Sequence, residues 1–512
     1  MFVRCHSACT VGIDAIRIAV EANLSMGIGM FLVGLPDNAV RESQDRIRSA
    51  FENSGLKMTG KRLVVNLAPA DIRKEGSAFD LPIAVSILAA SGQIATERID
   101  EYLIIGELSL DGSVKPIKGA LCIAMLAASE GFKGIILPKD NAPQAAVVEG
   151  IEVIGVDNLR QTADFLSGLL TIEPQRRTAA EQAPDFYGSF DEDFSDVKGQ
   201  RHVKRALEIA AAGGHNAIMI GSPGSGKTML ARRMPTIMPP MSTDEILETT
   251  KIYSVAGKCP EGDALITKRP FRAPHHLTSQ VALIGGGTSP QPGEVSLAHN
   301  GILFLDELPE FGRSVLEVLR QPLEDKKILV SRAKYSIEYP CSFMLIASMN
   351  PCPCGYYNHP TKECLCSSGA VTKYMNRISG PLMDRIDLHI EVTPVEISQI
   401  SGSGTEESSA EIRERVIRAR EIQNRRFADF KGVHTNAMMN SKMLRRFCPL
   451  DASASALLSK AIERLGLSAR AYDRIIKVAR TIADLASETN ISASHIAEAI
   501  NYRSLDRESW GK

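Results

Sequence analysis

No other stretch of this chain restricts its possible folds as strongly as the segment Gly221-Ser222-Pro223-Gly224-Ser225-Gly226-Lys227-Thr228. It fits the pattern G-x-x-x-x-G-K-[ST] of a phosphate-binding loop. Apolar residues 217–220 predict a short buried strand before it, and residues 229–233 predict the start of a helix after it. Glycines let backbone N–H groups wrap around phosphates, and the positive end of the helix adds to the attraction. The segment predicts an α/β nucleotide-binding core, with Lys227 on the β- and γ-phosphates and Thr228 on Mg²⁺.

Composition excludes several classes of protein. The 512 residues are 44% hydrophobic and 23% charged, as is ordinary for a globular protein. The formal net charge of -1 argues against a generally basic nucleic-acid coat protein but leaves room for a local basic channel. No apolar stretch approaches the roughly 20 residues that span a bilayer, and the amino terminus lacks the apolar core of a signal peptide. We expect a cytosolic protein without membrane contact, whose cysteines are reduced unless they bind metal.

Two polar stretches, 173–189 and 399–410, predict linkers. They separate three segments, 1–172, 190–398 and 411–512. The first alternates apolar strands with helical stretches and therefore predicts an α/β domain. The second contains the phosphate-binding loop and further buried strands, and the third is helical throughout.

An acidic pair follows another apolar strand of the middle segment. Residues 301–305 predict the strand, and Asp306 and Glu307 come directly after it. In this Walker B pattern, Asp306 holds Mg²⁺ and Glu307 positions and polarises the attacking water. A third strand, 343–349, brings Asn350 to the same edge, where its amide is expected to orient that water. The alternative for Asn350 is a turn-forming role before Pro351.

Longer motifs carry a resemblance to a known family. Residues 194–200 look like the motif that opens AAA+ ATPase modules, and other stretches resemble the magnesium-chelatase-like branch and, within it, the YifB/ComM family: 270–276, 283–287, 292–300, 66–71 and 74–82. The resemblance implies an amino-terminal Lon-protease-like (ribosomal S5-like) α/β domain, an AAA+ core with a parallel sheet, and a carboxy-terminal helical lid. It also implies ATP and Mg²⁺ as cofactors and assembly as a homo-hexamer.

Two arginines are assigned by the same resemblance. Arg385 matches the arginine finger that reaches the γ-phosphate in a neighbouring subunit, a role that suits a permanently charged guanidinium. Its alternative is a surface ion pair with an adjacent aspartate. Arg470 matches the start of the sensor-2 helix, with Arg474 as the second choice, and either could be an ordinary exposed basic residue.

Four cysteines cluster between 352 and 366, as Cys352, Cys354, Cys364 and Cys366. Two C-x-C pairs provide four thiolates, which is enough for a closed tetrahedral zinc site, with His359 as a substitute ligand. The alternatives are reduced thiols in a loop or a redox-sensitive pair.

The amino-terminal segment resembles the Lon protease domain but lacks its catalytic pair. Ser77 aligns with the nucleophile only with a shift, and Leu121 occupies the position of the lysine. Lys115 and Lys118 lie near that position but out of register. We therefore expect this domain to be a scaffold for assembly or nucleic-acid binding without peptidase activity.

The substrate is expected to be DNA, single-stranded or branched. Residues 323–334 predict a basic hairpin whose cations track phosphates, with residues 285–292 as a second loop; the candidate contacts are Lys326, Lys327, Arg332 and Lys334. A solvated charged hairpin is the alternative. The family resemblance implies a ring motor or helicase that promotes branch migration in recombination or natural transformation. The rival is a protein-remodelling ATPase of the chelatase-motor or MoxR type; metal insertion into a porphyrin rests on the family name alone.

Overall fold

The computed structural model describes most of the chain, namely residues 1–74, 76–176, 190–260, 265–287, 290–332, 335–357, 359, 361–395 and 406–503. It divides into two compact units. Unit 1 comprises Met1–Pro184 and Thr243–Ile266, and unit 2 comprises Asp185–Ser242 and Thr267–Lys512. The predicted linkers at 173–189 and 399–410 fall largely outside the described residues.

Unit 1 is built on a mixed sheet with the strand order β3-β4-β2-β1-β5-β8-β9. A long antiparallel hairpin, β1–β2, forms its middle, and β5, β8 and β9 run parallel to one another beside β1. The strands of unit 1 are β1 Phe2–Val11, β2 Asp14–Ser25, β3 Met30–Val33, β4 Arg62–Ala68, β5 Tyr102–Ile104, β6 Glu107–Leu108, β7 Val114–Lys115, β8 Gly134–Pro138 and β9 Glu152–Val156.

Helices cover both faces of this sheet. They are α1 Asn38–Asn53, α2 Asp80–Ala90, α3 Ala120–Ser129, α4 Ala142–Ala145 and α5 Leu159–Leu166, with short 3-10 turns at Ile99–Glu101 and Lys139–Asn141. Side chains alternate along β5: Tyr102 and Ile104 join the core with α1, α2 and α5, whereas Leu103 joins the core with α3 and α4. Strands β5 and β8 are apolar throughout because both of their faces are buried, whereas β1–β4 alternate buried residues with more exposed ones.

Unit 2 contains a parallel sheet with the strand order β11-β14-β17-β10-β18 and two small hairpins, β12–β13 and β15–β16. Its strands are β10 Ala217–Gly221, β11 Phe271–Arg272, β12 Gly285–Gly286, β13 Gln291–Pro292, β14 Ile302–Leu305, β15 Lys327–Arg332, β16 Tyr335–Pro340, β17 Met344–Met349 and β18 Leu388–Val392. Strand β17 lies between β14 and β10, so the segments that follow these three strands meet at one edge.

With the exception of Thr243–Ala256, the helices after residue 190 surround this sheet or form the carboxy-terminal lid. They are α6 Arg201–Gly213, α7 Lys227–Ile237, α8 Thr243–Ala256, α9 Gln280–Ile284, α10 Glu294–Leu297, α11 Arg313–Glu317, α12 Arg320–Asp325, α13 Ser368–Met375, α14 Gly380–Met383, α15 Ser409–Arg426, α16 Ser441–Phe447, α17 Ala452–Leu465, α18 Ala469–Leu485 and α19 Ala493–Asn501, with 3-10 turns at Phe194–Asp196, Leu308–Glu310 and Asn436–Met438. Residues of α6, α7 and the lid helices α15–α19 share one apolar core with Ala217 and Met219 of β10. The described helices are each too short or too polar to cross a bilayer.

Helix α8 belongs to unit 1, although the segments before and after it in the sequence belong to unit 2. The chain leaves unit 2 after Ser242 and returns at Thr267. Within unit 1, the N–H of Gly119 donates to the carbonyl of Ser254 at 3.0 Å, and the hydroxyl of Ser254 donates to Gln144 Oε1 at 2.8 Å. The sequence-based segment 190–398 contains this excursion, so it is not continuous in space.

Candidate nucleotide site

The phosphate-binding loop connects β10 to α7 at the carboxyl edge of the sheet of unit 2. Gly224 and Gly226 adopt φ angles of +78° and +89°, which favour glycine. Lys227, at the start of α7, turns back over the loop: its Nζ donates to the carbonyls of Gly221 at 2.7 Å and Ser222 at 2.9 Å. Burial lowers the pKa of Lys227, and the charges of Asp306 and Glu307 oppose that shift.

Gln200 connects the phosphate-binding loop to the end of β18 by hydrogen bonds, a role that the sequence analysis missed. Its Nε2 donates to the carbonyl of Ser225 at 2.9 Å and to the carbonyl of Thr393, just after β18, at 3.1 Å. The backbone of Gln200 is left-handed, with φ at +51°. Its place in the sequence could have indicated this role, because Gln200 is the last residue of the motif 194–200 and directly precedes α6.

The acidic pair meets the loop across the sheet edge. Thr228 Oγ1 donates to Asp306 Oδ2 at 2.7 Å. The hydroxyl of Ser348, from β17, donates to the other carboxylate oxygen of Asp306, and the N–H of Glu307 donates to Ser348 Oγ at 3.3 Å. Ser348 is buried and fixes the carboxylate of Asp306; the sequence analysis passed over it as part of an apolar strand.

Glu307 and Asn350 lie on either side of this acidic cluster. Lys227 Nζ donates to Asn350 Oδ1 at 3.3 Å. Glu307 has a left-handed backbone with φ at +53°, which is rare for residues other than glycine and is often found at functional sites. His276 Nδ1 lies 3.8 Å from Glu307 Oε2, a contact that the sequence analysis did not foresee, although His276 belongs to the family motif 270–276.

The donor set of this edge fits a magnesium–nucleotide complex. The hydroxyls of Ser222 and Ser225 are buried in the loop and have no hydrogen-bond partner among the described residues. A carboxylate and a threonine hydroxyl, which are oxygen ligands of the type that Mg²⁺ prefers, are already in contact. The structure thus brings together Lys227, Thr228, Asp306, Glu307 and Asn350.

Arg385 lies at the opposite edge of the sheet. The Nδ2 of Asn216, which directly precedes β10, donates to the carbonyl of Arg385 at 3.1 Å. Strand β10 is five residues long, so it separates Asn216 from the phosphate-binding loop by about 16 Å at ~3.3 Å per residue. Arg385 is therefore not part of the cluster around Lys227.

The side chain of Arg385 is folded back against its own subunit and is 8% exposed. Its Nη2 pairs with Glu324 Oε1 at 2.6 Å, and its Nη1 donates to the carbonyl of Pro381 at 2.6 Å. Its Nε is buried without a hydrogen-bond partner among the described residues. Arg470 is exposed beside this segment, with Nη1 at 3.8 Å from Asp384 Oδ2.

Arg474 has a different environment from Arg470. Its guanidinium pairs with the buried carboxylate of Asp387 and donates to the carbonyl of Arg385 at 3.3 Å. Burial opposes ionisation of Asp387, but Arg474 and His215 outweigh it and hold the pKa of Asp387 well below its usual range. Arg474 thus ties the lid helix α18 to the Arg385 segment.

The basic hairpin exists as β15–β16, but its lysines are not equivalent. Lys327 is exposed and pairs with Glu338 across the hairpin at 3.0 Å. Lys326 lies at the base, where burial lowers its pKa in a cluster with Asp387 and Arg474. Arg332 ends β15, and Lys334 lies outside the described residues.

The four cysteines come together directly after β17. The sulfur of Cys352 lies 3.3 Å from that of Cys354 and 3.7 Å from that of Cys364, and the sulfur atoms of all four, Cys366 included, lie within 4.8 Å of one another. The backbone N–H of Tyr356 stabilises the thiolate of Cys354 and lowers its pKa to about 6. His359 instead accepts a hydrogen bond from the N–H of Thr361 at 3.2 Å.

In unit 1, Ser77 lies beside Glu107, whose partner across the β6–β7 hairpin is Lys115. The hydroxyl of Ser77 donates to the carboxylate of Glu107. Leu121 is fully buried in α3, and Lys115 is exposed on β7.

Sequence comparisons place this geometry in a family. The profile of magnesium chelatase, subunit ChlI, matches residues 193–400. The profile of subunit ChlI of Mg-chelatase matches residues 20–141, and that of the ChlI carboxy-terminal region matches residues 406–503. The matched regions correspond to the α/β sheet of unit 1, the parallel sheet of unit 2 and the lid.

Relatives match almost end to end. The chain is 44% identical to competence protein ComM of Haemophilus influenzae (strain ATCC 51907 / DSM 11121 / KW20 / Rd), over 98% of this chain and 97% of that protein. It is 43% identical to the protein YifB of Escherichia coli (strain K12), with the same coverage. It is also 28% identical to Lon protease 2 of Bacillus subtilis (strain 168), over 28% of this chain and 27% of that protein. The predicted fold class is confirmed, and the chain belongs to the magnesium-chelatase-like family of AAA+ ATPases that contains ComM and YifB.

Proposed function

We propose that this protein hydrolyses ATP with Mg²⁺ at the cluster around the phosphate-binding loop. The observation that carries the proposal is the convergence of Lys227, Thr228, Asp306 and Asn350 at the carboxyl edge of one parallel sheet. Lys227 and the loop N–H groups bind the phosphates, and Thr228 and Asp306 hold the metal. When bound, Mg²⁺ neutralises charge that develops on the phosphate oxygens.

In this proposal, Glu307 activates the water molecule that attacks the phosphate. Its backbone N–H donates to Asp306 Oδ1 at 3.0 Å, but its exposed side chain takes no part in that hydrogen bond. It is therefore free to accept a hydrogen bond from a water molecule and to polarise it for attack. Asn350 accepts a hydrogen bond from Lys227 Nζ. We propose that its amide group also orients the same water molecule.

We further propose that the site is shared between subunits of a ring, with six subunits as the family resemblance implies. The position of Arg385 supports this, because the strand between it and the loop is about 16 Å long and an arginine side chain spans less than half of that. A guanidinium at this edge serves a nucleotide held by a neighbour. Arg470 lies beside the same segment, so we assign it to the same neighbouring site.

We propose DNA as the substrate of the motor and branch migration as its action, in the cytosol. ComM, the relative described above, is named as a competence protein, and competence concerns the uptake of DNA. Within unit 2, Arg313, Lys373 and Arg377 line one cavity of about 1000 Å³ together with Glu310, which pairs with Arg377 at 2.9 Å, so the lining keeps a net positive charge besides Lys327 of the hairpin. Cations of this kind bind phosphates without reading sequence, so binding should weaken steeply with salt.

The experiment compares ATP hydrolysis by the full-length protein alone and with forked DNA, duplex DNA or an unfolded protein. We expect hydrolysis to rise most with forked DNA and to lose that stimulation as salt is increased. Stimulation by the unfolded protein alone would favour the protein-remodelling alternative. Absence of any hydrolysis in the assembled protein would contradict the proposal as a whole.

The cofactors we propose are ATP, Mg²⁺ and one Zn²⁺ in the cysteine cluster. The four thiolates form a closed set of the kind that structural zinc requires. Zinc here has no part in the proposed hydrolysis.

A further inference from the structure

The cysteine loop, residues 352–366, begins two residues after Asn350 and packs against the phosphate-binding loop. We propose that zinc held by its four cysteines fixes the phosphate-binding loop and Asn350 in the geometry that binds nucleotide. The inference rests on the proposed function and assigns a purpose to the metal: nucleotide affinity depends on whether zinc is bound.

The sulfur positions fit a metal and not a disulfide. A disulfide joins two sulfur atoms at about 2.05 Å. Zinc bound by four thiolates at about 2.3 Å places its sulfur atoms about 3.8 Å apart. The separations among Cys352, Cys354 and Cys364 are 3.3, 3.6 and 3.7 Å, so this set is close to the edges of such a tetrahedron. Soft thiolates select zinc over Mg²⁺, which keeps the two metal sites distinct.

Gly355 is the point of contact between the two loops. Its φ is +82°, and a Cβ at this position would lie 2.5 Å from Cδ and 2.8 Å from Cγ of Pro223. Contacts below 3.0 Å do not occur without displacement, so the backbone of the cysteine loop lies directly on the Pro223 ring. Pro223 is the third residue of the phosphate-binding loop, and Gly355 directly follows the metal ligand Cys354 in sequence.

The second connection runs through the chain itself. Cys352 is fully buried and follows Asn350 with one residue between them. Asn350 Oδ1 accepts from Lys227 Nζ at 3.3 Å. Anchoring Cys352 on a metal therefore restrains Asn350, while Gly355 restrains Pro223. Without the metal, the described cysteines are joined through weaker hydrogen bonds to sulfur, so both restraints relax.

The first test measures zinc content and nucleotide affinity together. Purified full-length protein should contain about one zinc per chain by elemental analysis. Removing it with a chelator should weaken binding of a fluorescent ATP analogue about tenfold or more, and adding zinc back should restore it. Cys364→Ser should lose both zinc and affinity, whereas Leu365→Ala, at the exposed residue between two ligands, should keep both.

The second test separates the contact from the metal. Gly355→Ala should keep zinc but weaken nucleotide binding about tenfold, because Pro223 must move. Gly432→Ala is the matched control, since Gly432 has a similar φ of +77° with nothing within 4 Å of an added Cβ. It should bind nucleotide as the wild type does.

The outcomes distinguish this inference from the proposed function. Equal nucleotide affinity with and without zinc, or a wild-type protein that takes up no zinc, overturns the inference alone. Zinc-loaded protein that binds no nucleotide overturns the proposed function and the inference with it. Loss of affinity on chelation, recovery with zinc and the contrast between Gly355→Ala and Gly432→Ala would support it.

Discussion

At the scale of single residues, neighbouring groups of the site have separable tasks. Lys227 is held inside the loop by two backbone carbonyls, and Asp306 is fixed by Thr228 and Ser348. Among the described residues, the carboxylate of Glu307 has its ion-pair contact with His276 at 3.8 Å, which is longer than a hydrogen bond. Binding and chemistry therefore reside in different side chains, and substitutions should separate them.

Glu307→Gln should keep nucleotide binding and lose hydrolysis. The amide keeps the shape of the side chain but polarises water poorly, so we expect kcat to fall about 10²–10³-fold, the loss typical when one group that acts in the transition state is removed. Lys227→Ala should instead abolish binding itself. Nucleotide affinity and turnover measured on both variants check this; loss of binding in Glu307→Gln would contradict the division of tasks.

Ser348→Ala should weaken the use of Mg²⁺. The hydroxyl of Ser348 orients the carboxylate of Asp306, and groups that orient a metal ligand typically contribute about 10–100-fold to metal affinity. We expect the half-saturating Mg²⁺ concentration for ATP hydrolysis to rise by about tenfold, with little change in turnover at saturating Mg²⁺. An unchanged Mg²⁺ titration would show that Ser348 is merely structural.

At the scale of elements, the base of hairpin β15–β16 is joined to the segment that carries Arg385. Glu324, at the end of α12, pairs with Arg385, and Lys326 lies next to Asp387. Helix α18 reaches the same segment through Arg474. A movement of the hairpin therefore acts on the arginine that we assign to the neighbouring site.

Glu324→Ala should release Arg385 and raise hydrolysis in the assembled protein. A half-exposed ion pair contributes about 1 kcal/mol at most, so the increase should not exceed about fivefold. Glu317→Ala, which removes a comparable pair with Arg320 at 2.6 Å on the preceding helix, is the control and should leave the rate unchanged. A fall in the rate of Glu324→Ala would mean that the pair holds Arg385 in its working position.

Asp387→Asn should destabilise unit 2 by about 3 kcal/mol, because it leaves the guanidinium of Arg474, whose side chain is 22% exposed, without its counter-charge. Since the folded pKa of Asp387 is depressed, the stabilisation is present above the ordinary pKa of about 4 and is lost as pH falls towards the folded value. The difference in thermal midpoint between wild type and variant should therefore be constant from pH 8 to 6 and shrink towards pH 3. A difference that grows as pH falls would contradict this.

The sequence predicted those elements whose signals are local. The phosphate-binding loop is one contiguous motif, and the strands before it, before Asp306 and before Asn350 are contiguous apolar runs followed by polar residues. The family fold is confirmed. The ion pair of Glu324 and Arg385 could not be predicted, because the two residues are far apart in the sequence and no local motif indicates that they are in contact. The same holds for α8, whose sequence carries no sign that it packs on unit 1.

At the scale of the whole molecule, a single subunit does not contain all the residues that we propose for ATP hydrolysis. The residues that we propose to bind nucleotide and the arginines that we propose to stabilise the transition state lie at opposite edges of one sheet. A neighbouring subunit must supply the missing arginines. Substitutions at the two edges should therefore complement each other when they are on different chains.

The most direct test mixes two inactive variants, Lys227→Ala and Arg385→Ala. The first binds no nucleotide but keeps its arginine, and the second keeps an intact nucleotide site. The account predicts that each is inactive alone and that the mixture recovers a fraction of wild-type ATP hydrolysis, because sites of Arg385→Ala subunits receive Arg385 from Lys227→Ala neighbours. A chain with both substitutions, mixed in the same way with Arg385→Ala, should recover nothing. Full activity of Arg385→Ala alone, or no recovery in mixtures shown to contain both chains in one assembly, would contradict the shared site.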